Sequence, residues 1–420
     1  MKKRDLLYQT LYFSCIGVTF LNNYELVFAV WVITIFLTLQ KLYSQSLIKY
    51  ISFFVVILLT AIVSGIFREH SPYNAIRDIT YLAKPIIGLW AGYQLCKISS
   101  KEALKMFIYT GTILSIIHIV IIIITVLDSG TFSVNMIREK GGYFSDYEIY
   151  VLVMLIFHEK FRIEIPKSRI RFLTLLVGVS CFLYLARTNL IQFIIFIVAL
   201  KGYFTLNKRS LTILSSVFIS VLIGYAIIYS INPKRNGKGL EAFLYKIKIA
   251  PIEPFKTRIN KDDWKDFNDN YRSYENIITV KQVSSKGTSA VLFGEGTGAT
   301  LDLGREVWSN DGEFVRFIPI VHNGYMTVFL KSGLFGVFFL LSFILTLMRQ
   351  KRNNDDTIRH INYFLTGTAI FLIFSNWVFL GLYLKLDNKS VIIGFLIALR
   401  LVIYKENSRM ALIENTHEKT

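Results

Sequence analysis

The chain has 420 residues, of which 53% are hydrophobic and only 18% are charged, and its mean hydropathy is +0.47. A soluble globular domain carries more charge and fewer long apolar runs, so this composition excludes that class and predicts an integral membrane protein. The net charge of +18 is best explained by cytoplasmic loops that face anionic lipid, and we expect no nucleic-acid partner.

Apolar stretches near twenty residues long recur along the whole chain, and each is about long enough to cross a hydrocarbon core of roughly 30 Å. We therefore predict an all-α polytopic membrane protein with about twelve transmembrane helices. They lie at approximately 6–21, 25–40, 50–67, 78–96, 104–127, 147–158, 172–186, 188–200, 210–231, 322–348, 361–383 and 390–404. The basic start MKKRDLLYQTLYF has no small-residue cleavage site, so we interpret it as part of an uncleaved first span.

The distribution of lysine and arginine over the short loops predicts that both termini are cytoplasmic. The strongest inside anchors are EKFRIEIPKSRIR at 159–171 and RQKRNNDDTIRH at 349–360. The five short outside loops carry only seven basic residues: Arg68, Arg77, Arg138, Lys140, Arg187, Lys385 and Lys389. The chain then divides into helices 1–9 at 1–231, one long external loop at 232–320, helices 10–12 at 321–404, and a cytoplasmic tail at 405–420.

The long loop holds 14 Lys and Arg and 12 Asp and Glu, but loops of this length translocate largely regardless of charge. A basic stretch begins it, and a turn follows at Pro251 and Pro254. An amphipathic helix is predicted near 270–283, because Tyr274, Ile277 and Ile278 fall on one face. We expect short helices lying over the membrane face rather than an independent domain.

No metal or nucleotide site is indicated. The three cysteines, Cys15, Cys96 and Cys181, are scattered in or beside apolar spans, where buried thiols are common. The turn Gly294-Glu295-Gly296-Thr297-Gly298 lacks the Lys-Ser/Thr ending of a nucleotide-binding loop. The run KDDWKDFNDN lacks the glycine and the final glutamate of a calcium loop.

His322 is the candidate general base. It stands at the mouth of the tenth predicted span, on the same side as the long loop, and an imidazole can accept a proton from a hydroxyl near neutral pH. The alternative is an interfacial histidine hydrogen-bonded to Asn323. His70, His118, His158, His360 and His417 are too dispersed to form a metal site with it.

Several basic residues are predicted on the same side as His322. Arg187 lies between two apolar spans with almost no loop, and Arg258 and Arg272 belong to the long loop. The alternatives are an interfacial arginine for the first and solvated salt bridges for the other two, with Glu275 as a ready helix partner of Arg272.

A second group, Arg68, Arg77 and Lys84, lies on the outer side of the third and fourth spans, and Lys84 is deep enough to need a partner. The arginine fork suits phosphate oxygens. A base beside such arginines is the arrangement needed to displace a lipid-diphosphate leaving group with a sugar hydroxyl.

Four short motifs resemble those of the bacterial O-antigen ligase and O-antigen polymerase family. HNGYMTVFLKSGLFG at 322–336 is similar to that family's His-Asn pair followed by a hydrophobic helix with spaced glycines. FGEGTGA at 293–299 resembles its Gly-x-Gly turn, and YRSYENIITVKQV at 271–283 resembles the arginine-initiated helix before that turn. LARTNL at 185–190 is similar to its arginine at a span boundary, although Ala186 stands where that family normally has serine.

The resemblance covers roughly 180–340 in motif and the whole chain in topology. It implies a glycosyltransferase without metal or cofactor that resembles the membrane C-type glycosyltransferases. Its substrates would be undecaprenyl-diphosphate-linked oligosaccharides at the outer face of the bacterial plasma (inner) membrane, with a chain-length regulator and a flippase as partners. The resemblance implies that His322 activates the acceptor hydroxyl and that Arg187, Arg272 and, as a further loop arginine, Arg258 bind the diphosphate. Supporting candidates are Asn323, Tyr325, Lys84 and Arg77.

Three activities are compatible with these patterns. We favour a polysaccharide polymerase, because the loop is divergent and polymerases vary with each repeat unit. A ligase that moves the glycan onto lipid A-core is the alternative. A transporter would show charged residues near the bilayer midplane and broken helices at matching positions in two halves. The sequence shows no such repeat, and its predicted outer cations cluster at one membrane face.

Overall fold

The computed structural model describes residues 3–130, 134–142, 146–205, 207–234, 240–249, 256–260, 263–308, 312–350 and 353–417, and 76% of it is helical. The helices before the long loop are α1 Lys3–Gly17, α2 Tyr24–Leu37, α3 Gln45–Ile66, α4 Pro72–Leu95, α5 Ser100–Ser129, α6 Val134–Gly141, α7 Asp146–Ile156, α8 Lys167–Leu183, α9 Arg187–Leu200 and α10 Lys208–Ile231. The loop contains α11 Leu240–Ile249, α12 Trp264–Asp269, α13 Tyr271–Ser285, α14 Thr288–Phe293, β1 Leu301–Trp308 and β2 Phe314–Ile318. After the loop come α15 Gly324–Met348, α16 Asp356–Val378 and α17 Lys389–His417.

Five of the described helices, α3, α5, α10, α15 and α16, are long and apolar enough to cross a membrane. This agrees with the predicted all-α membrane fold at the level of class. Helices α2 and α9 are apolar but have only 14 residues each, and the predicted sixth span is the 11-residue helix α7. The count of twelve spans therefore stays a prediction.

Helix α10 is apolar over 24 residues, and in the described structure Ser210 is its one buried residue. The other side chains of α10 are half-buried or exposed around the whole helix. In water such a surface would aggregate, whereas in a bilayer the hydrocarbon covers it. The exposed apolar surface of helix α10 is therefore suited to contact with lipid.

Helix α15 is broken at Gly333, whose φ of 64° and ψ of −164° are not helical. At the break, the carbonyls of Leu330 and Lys331 accept hydrogen bonds from the glycine turn of the long loop instead of from their own helix. The amide of Glu295 donates to the carbonyl of Leu330 at 2.7 Å, and that of Gly296 donates to the carbonyl of Lys331 at 3.1 Å. Gly333 is thus the point where α15 is interrupted.

The same turn contacts α3, so it lies between two long helices. The amide of Thr297 donates to the carbonyl of Ala61 at 2.9 Å. Gly296 has a φ of 87°, and a Cβ atom there would lie 2.1 Å from the amide nitrogen of Gly65. Irregular backbone is tolerated beside membrane helices where its polar groups are bonded, and this turn meets that condition.

A buried ion pair fixes this junction. The ammonium of Lys331 lies 2.5 Å from the Asp78 carboxylate, and both side chains are 1% exposed. Asp78 also accepts from the amide of Gly298 at 2.7 Å, and Lys331 also donates to the carbonyl of Ala299. The pair therefore joins α4, the glycine turn and α15. We call the side of the molecule where α3 ends and α15 begins the loop face.

Described loop residues from α13, β1 and the segment before α15 pack onto α15 through a small apolar core. Tyr274, Leu301 and Val321 are buried together with Phe329 and Leu330 of α15. The helix predicted near 270–283 is present as α13. The antiparallel β1–β2 hairpin was not predicted, because only short helices were expected in the loop.

Candidate functional site

Asn323 sets the backbone next to His322. Its side chain accepts hydrogen bonds from the amides of Tyr325 at 2.9 Å and Met326 at 3.2 Å, which makes it the N-cap of α15. The amide of Gly324 donates to the carbonyl of Phe379 at 3.2 Å. His322 is thus held immediately before a capped helix that is tied to the end of α16.

Glu275 of α13 binds His322 through both backbone and side chain. Its carboxylate accepts from the His322 amide at 3.0 Å and lies 3.0 and 3.1 Å from Nδ1. Glu275 is fully buried, whereas the His322 side chain is 53% exposed. A carboxylate only accepts hydrogen bonds, so neutral His322 presents Nδ1–H to it and carries its basic lone pair on Nε2.

This pairing bears on two alternatives that the sequence left open. Glu275 was the alternative helix partner of Arg272, but among the described residues it forms an ion pair with His322. Asn323 was the alternative partner of His322, but its side-chain oxygen caps α15. A carboxylate that fixes the tautomer and orientation of an imidazole is a common feature of general bases.

Tyr271 completes the surroundings of the pair. Its ring meets that of His322 edge to face, with centroids 5.7 Å apart and planes at 80°. Burial and the neighbouring Glu275 carboxylate raise the pKa of Tyr271 above its ordinary value, and the two side chains are hydrogen-bonded. The phenol therefore stays protonated and stabilises the buried Glu275.

Arg272 lies close to this pair through Phe379. Its guanidinium carbon is 5.1 Å from the centre of the Phe379 ring, and the Phe379 carbonyl is the group that binds Gly324. Two of the predicted site residues, His322 and Arg272, are therefore brought to the same end of α16. Such stacking orients the guanidinium and leaves its edge for hydrogen bonds.

Arg187 is connected to the same region from the other side. It is the first residue of α9 and is exposed. Its neighbour Thr188 lines a cavity of about 10 Å³ together with Phe379, Ser375 and Lys389. Phe379 therefore lies beside both Thr188, the neighbour of Arg187, and Arg272.

The remaining predicted residues are not brought to His322 by the recorded contacts. Arg258 is exposed in the irregular stretch 256–260. Arg77 lies over the Tyr73 ring at 5.6 Å. The Tyr325 hydroxyl donates to the carbonyl of Ile373 at 3.3 Å, which gives it a packing role between α15 and α16.

Lys84 has the buried partners that its depth requires. Its ammonium donates to the carbonyls of Asp387 at 2.7 Å, Lys385 at 3.2 Å and Leu384. It therefore holds the segment before α17 instead of joining the His322 site.

Charged groups that sequence reasoning missed lie in the same region as Lys84. Lys389 is buried and pairs with both Asp146 and Asp387. Asp387 lies two residues before Lys389, whereas Asp146 is in α7, more than 200 residues away in the chain, so no local pattern could have signalled Asp146. Within the described ranges, no group of three His, Cys, Asp or Glu residues has the arrangement of a metal site.

Searches against models of known protein families and among curated proteins found no match to this chain.

Proposed function

We propose that the protein is a membrane glycosyltransferase that polymerises polysaccharide repeat units carried on undecaprenyl diphosphate. The observation that carries this proposal is the buried Glu275 bonded to a half-exposed His322, with Arg272 nearby. In this proposal the protein lies in the bacterial plasma membrane with both termini inside, and the loop face is the outer face.

The reaction requires a base and an anion-binding group, and each has a candidate. The hydroxyl of the lipid-linked acceptor repeat unit loses its proton to Nε2 of His322 while its oxygen bonds to the anomeric carbon of the donor glycan. The bond from that carbon to the diphosphate oxygen breaks, and the diphosphate leaves with the electron pair. Arg272, joined by Arg187, stabilises the charge on the leaving group.

The test is elongation by the purified protein in detergent, supplied with lipid-linked repeat units. His322→Ala should lower the rate by about 10²–10⁴-fold, as expected for loss of a general base, while the protein stays folded. Full activity of this variant would overturn the proposed mechanism.

A ligase would use the same residues but a different acceptor. If the protein is a ligase, cells that lack it would accumulate long lipid-linked chains instead of single capped repeat units.

The second candidate function is transport of a lipid-linked glycan. The observation in its favour is the buried group of Lys84, Asp146, Asp387 and Lys389, because ionisable residues within membrane helices often mark transport pathways. The same assay separates the two functions, since elongation in detergent needs no membrane gradient. Absence of elongation, together with movement of a lipid-linked glycan across vesicles, would favour the transporter.

A further inference from the structure

An open groove of about 490 Å³ runs along the outside of the helices, between α3, α14 and α15. Its apolar walls are Leu59, Val63 and Phe67 from the α3 segment, Phe293 from α14 and Phe335 from α15. All five side chains are exposed. Apolar walls of this kind, on helices long enough to cross a membrane, are covered by hydrocarbon chains in a bilayer.

The loop-face end of the groove carries an arginine. Arg68 follows the end of α3 and lines the groove, as does Ser289 at the start of α14. The guanidinium of Arg68 lies 4.0 Å from the Glu295 carboxylate and its side chain is 24% exposed. The guanidinium of Arg68 has five N–H donors, and one long ion pair does not use all of them. The remaining donors can bind one phosphate.

The length of the groove fits one leaflet. From Leu59 to Phe67 the chain advances about 12 Å along the helix axis, close to half of a hydrocarbon core of roughly 30 Å. An apolar channel of this depth with an arginine at its mouth matches one lipid, with its head group at the boundary and an acyl chain below.

We propose that this groove binds one anionic glycerophospholipid of the surrounding bilayer, with its phosphate on Arg68 and an acyl chain between α3 and α15. A lipid diphosphate carries more negative charge than a single, partly paired arginine can balance. The observations therefore favour an ordinary phospholipid over a lipid-diphosphate substrate. The proposal does not depend on the enzymatic activity proposed above.

The bound lipid would stabilise the junction between loop and helices. One wall of the groove is α14 and Gly294, the first residue of the glycine turn that is inserted at the break in α15. Helix α14 also follows α13, which carries Arg272 and Glu275. An anionic lipid in the groove would thus hold the loop in position against α3.

The experiment measures lipid retention by native mass spectrometry of the full chain, after exchange into detergent with equal phosphatidylglycerol and phosphatidylcholine. The wild-type protein should retain one phosphatidylglycerol and gain thermal stability from it. Arg68→Gln and Val63→Trp should each reduce its retention by about 10-fold or more. The matched controls should retain it: Lys49→Gln removes an exposed cation at the other end of α3, and Val221→Trp enlarges an exposed valine on α10.

Equal retention of the two lipids, or unchanged retention in Arg68→Gln, would overturn the proposal. So would displacement of phosphatidylglycerol by an equimolar amount of undecaprenyl diphosphate, because the groove would then belong to a lipid-diphosphate substrate. Val63→Trp keeps Arg68 and its contact with Glu295, so it tests the groove even if the arginine variant does not fold.

Discussion

Glu275 and His322 are 47 residues apart in the chain, yet the carboxylate of one bonds both the amide and Nδ1 of the other. In the proposed reaction Glu275 is a positioning residue, because it acts on the substrate only through His322. It fixes the imidazole tautomer and stabilises the imidazolium that forms when Nε2 takes a proton.

Glu275→Gln should lower kcat for elongation by about 10²-fold or more with little change in KM, since an amide can hold His322 in the wrong tautomer. The measurement is the rate of elongation over a range of substrate concentrations, which separates kcat from KM. Glu306→Gln, at an exposed position on β1, is the matched control. Equal activities of the two variants would contradict the assigned role.

Arg272→Lys keeps the positive charge but loses the planar fork that lies over Phe379. Binding of undecaprenyl diphosphate to the purified protein should weaken by about 10-fold, because lysine cannot bind phosphate in a bidentate manner. Lys281→Ala, exposed on the same helix α13, should bind as the wild type does. Undiminished binding by Arg272→Lys would show that the diphosphate lies elsewhere.

Gly296→Ala should destabilise the protein more than Gly287→Ala. Both glycines have positive φ, of 87° and 93°, and a side chain there costs about 1–3 kcal/mol in backbone strain. At Gly287 the added Cβ atom meets open space, whereas at Gly296 it meets the backbone of Gly65. The clash should add about 1–3 kcal/mol, and thermal unfolding in detergent compares the two. Equal shifts in Tm would mean that the turn is not inserted against α3.

Lys331→Met leaves the buried Asp78 carboxylate without its cation, and the expected loss of stability is about 3–5 kcal/mol. The double variant Asp78→Asn/Lys331→Met removes both charges and keeps an acceptor for the Gly298 amide. It should therefore be more stable than Lys331→Met alone. A double variant as unstable as the single one would contradict the importance of this charge pair.

The β1–β2 hairpin should loosen in acid. Arg316 lowers the pKa of Asp302 below its ordinary value, with help from the Gly304 amide. The pair thus stabilises the hairpin above the unfolded pKa of about 3.9, and this contribution is lost as pH falls through the lower folded value. Arg316→Gln should return the pKa of Asp302 to the ordinary range, as measured by NMR titration. An unchanged pKa would exclude Arg316 as the cause.

The sequence predicted the helical class, helix α13 and the start of α15, because these depend on local periodicity and on the length of apolar runs. It did not predict the pairing of Glu275 with His322, since Arg272 offered a nearer partner three residues away. The alternation of Leu301 and Leu303 in β1 was a signal for a strand that we did not use. A glycine at 333 cannot by itself show that α15 is interrupted. The glycine turn that binds the carbonyls of Leu330 and Lys331 is distant in the chain.

The break in α15 also bears on the order in which the molecule is assembled. Ribosomes make α3 first, then the glycine turn, and α15 last of the three. Both α3 and the glycine turn, which contact the break, therefore already exist when α15 emerges. The amides of Glu295 and Gly296 can take up the carbonyls of Leu330 and Lys331 as soon as that helix enters the bilayer. Its two halves therefore need not pass through a continuous helix that must later be unwound.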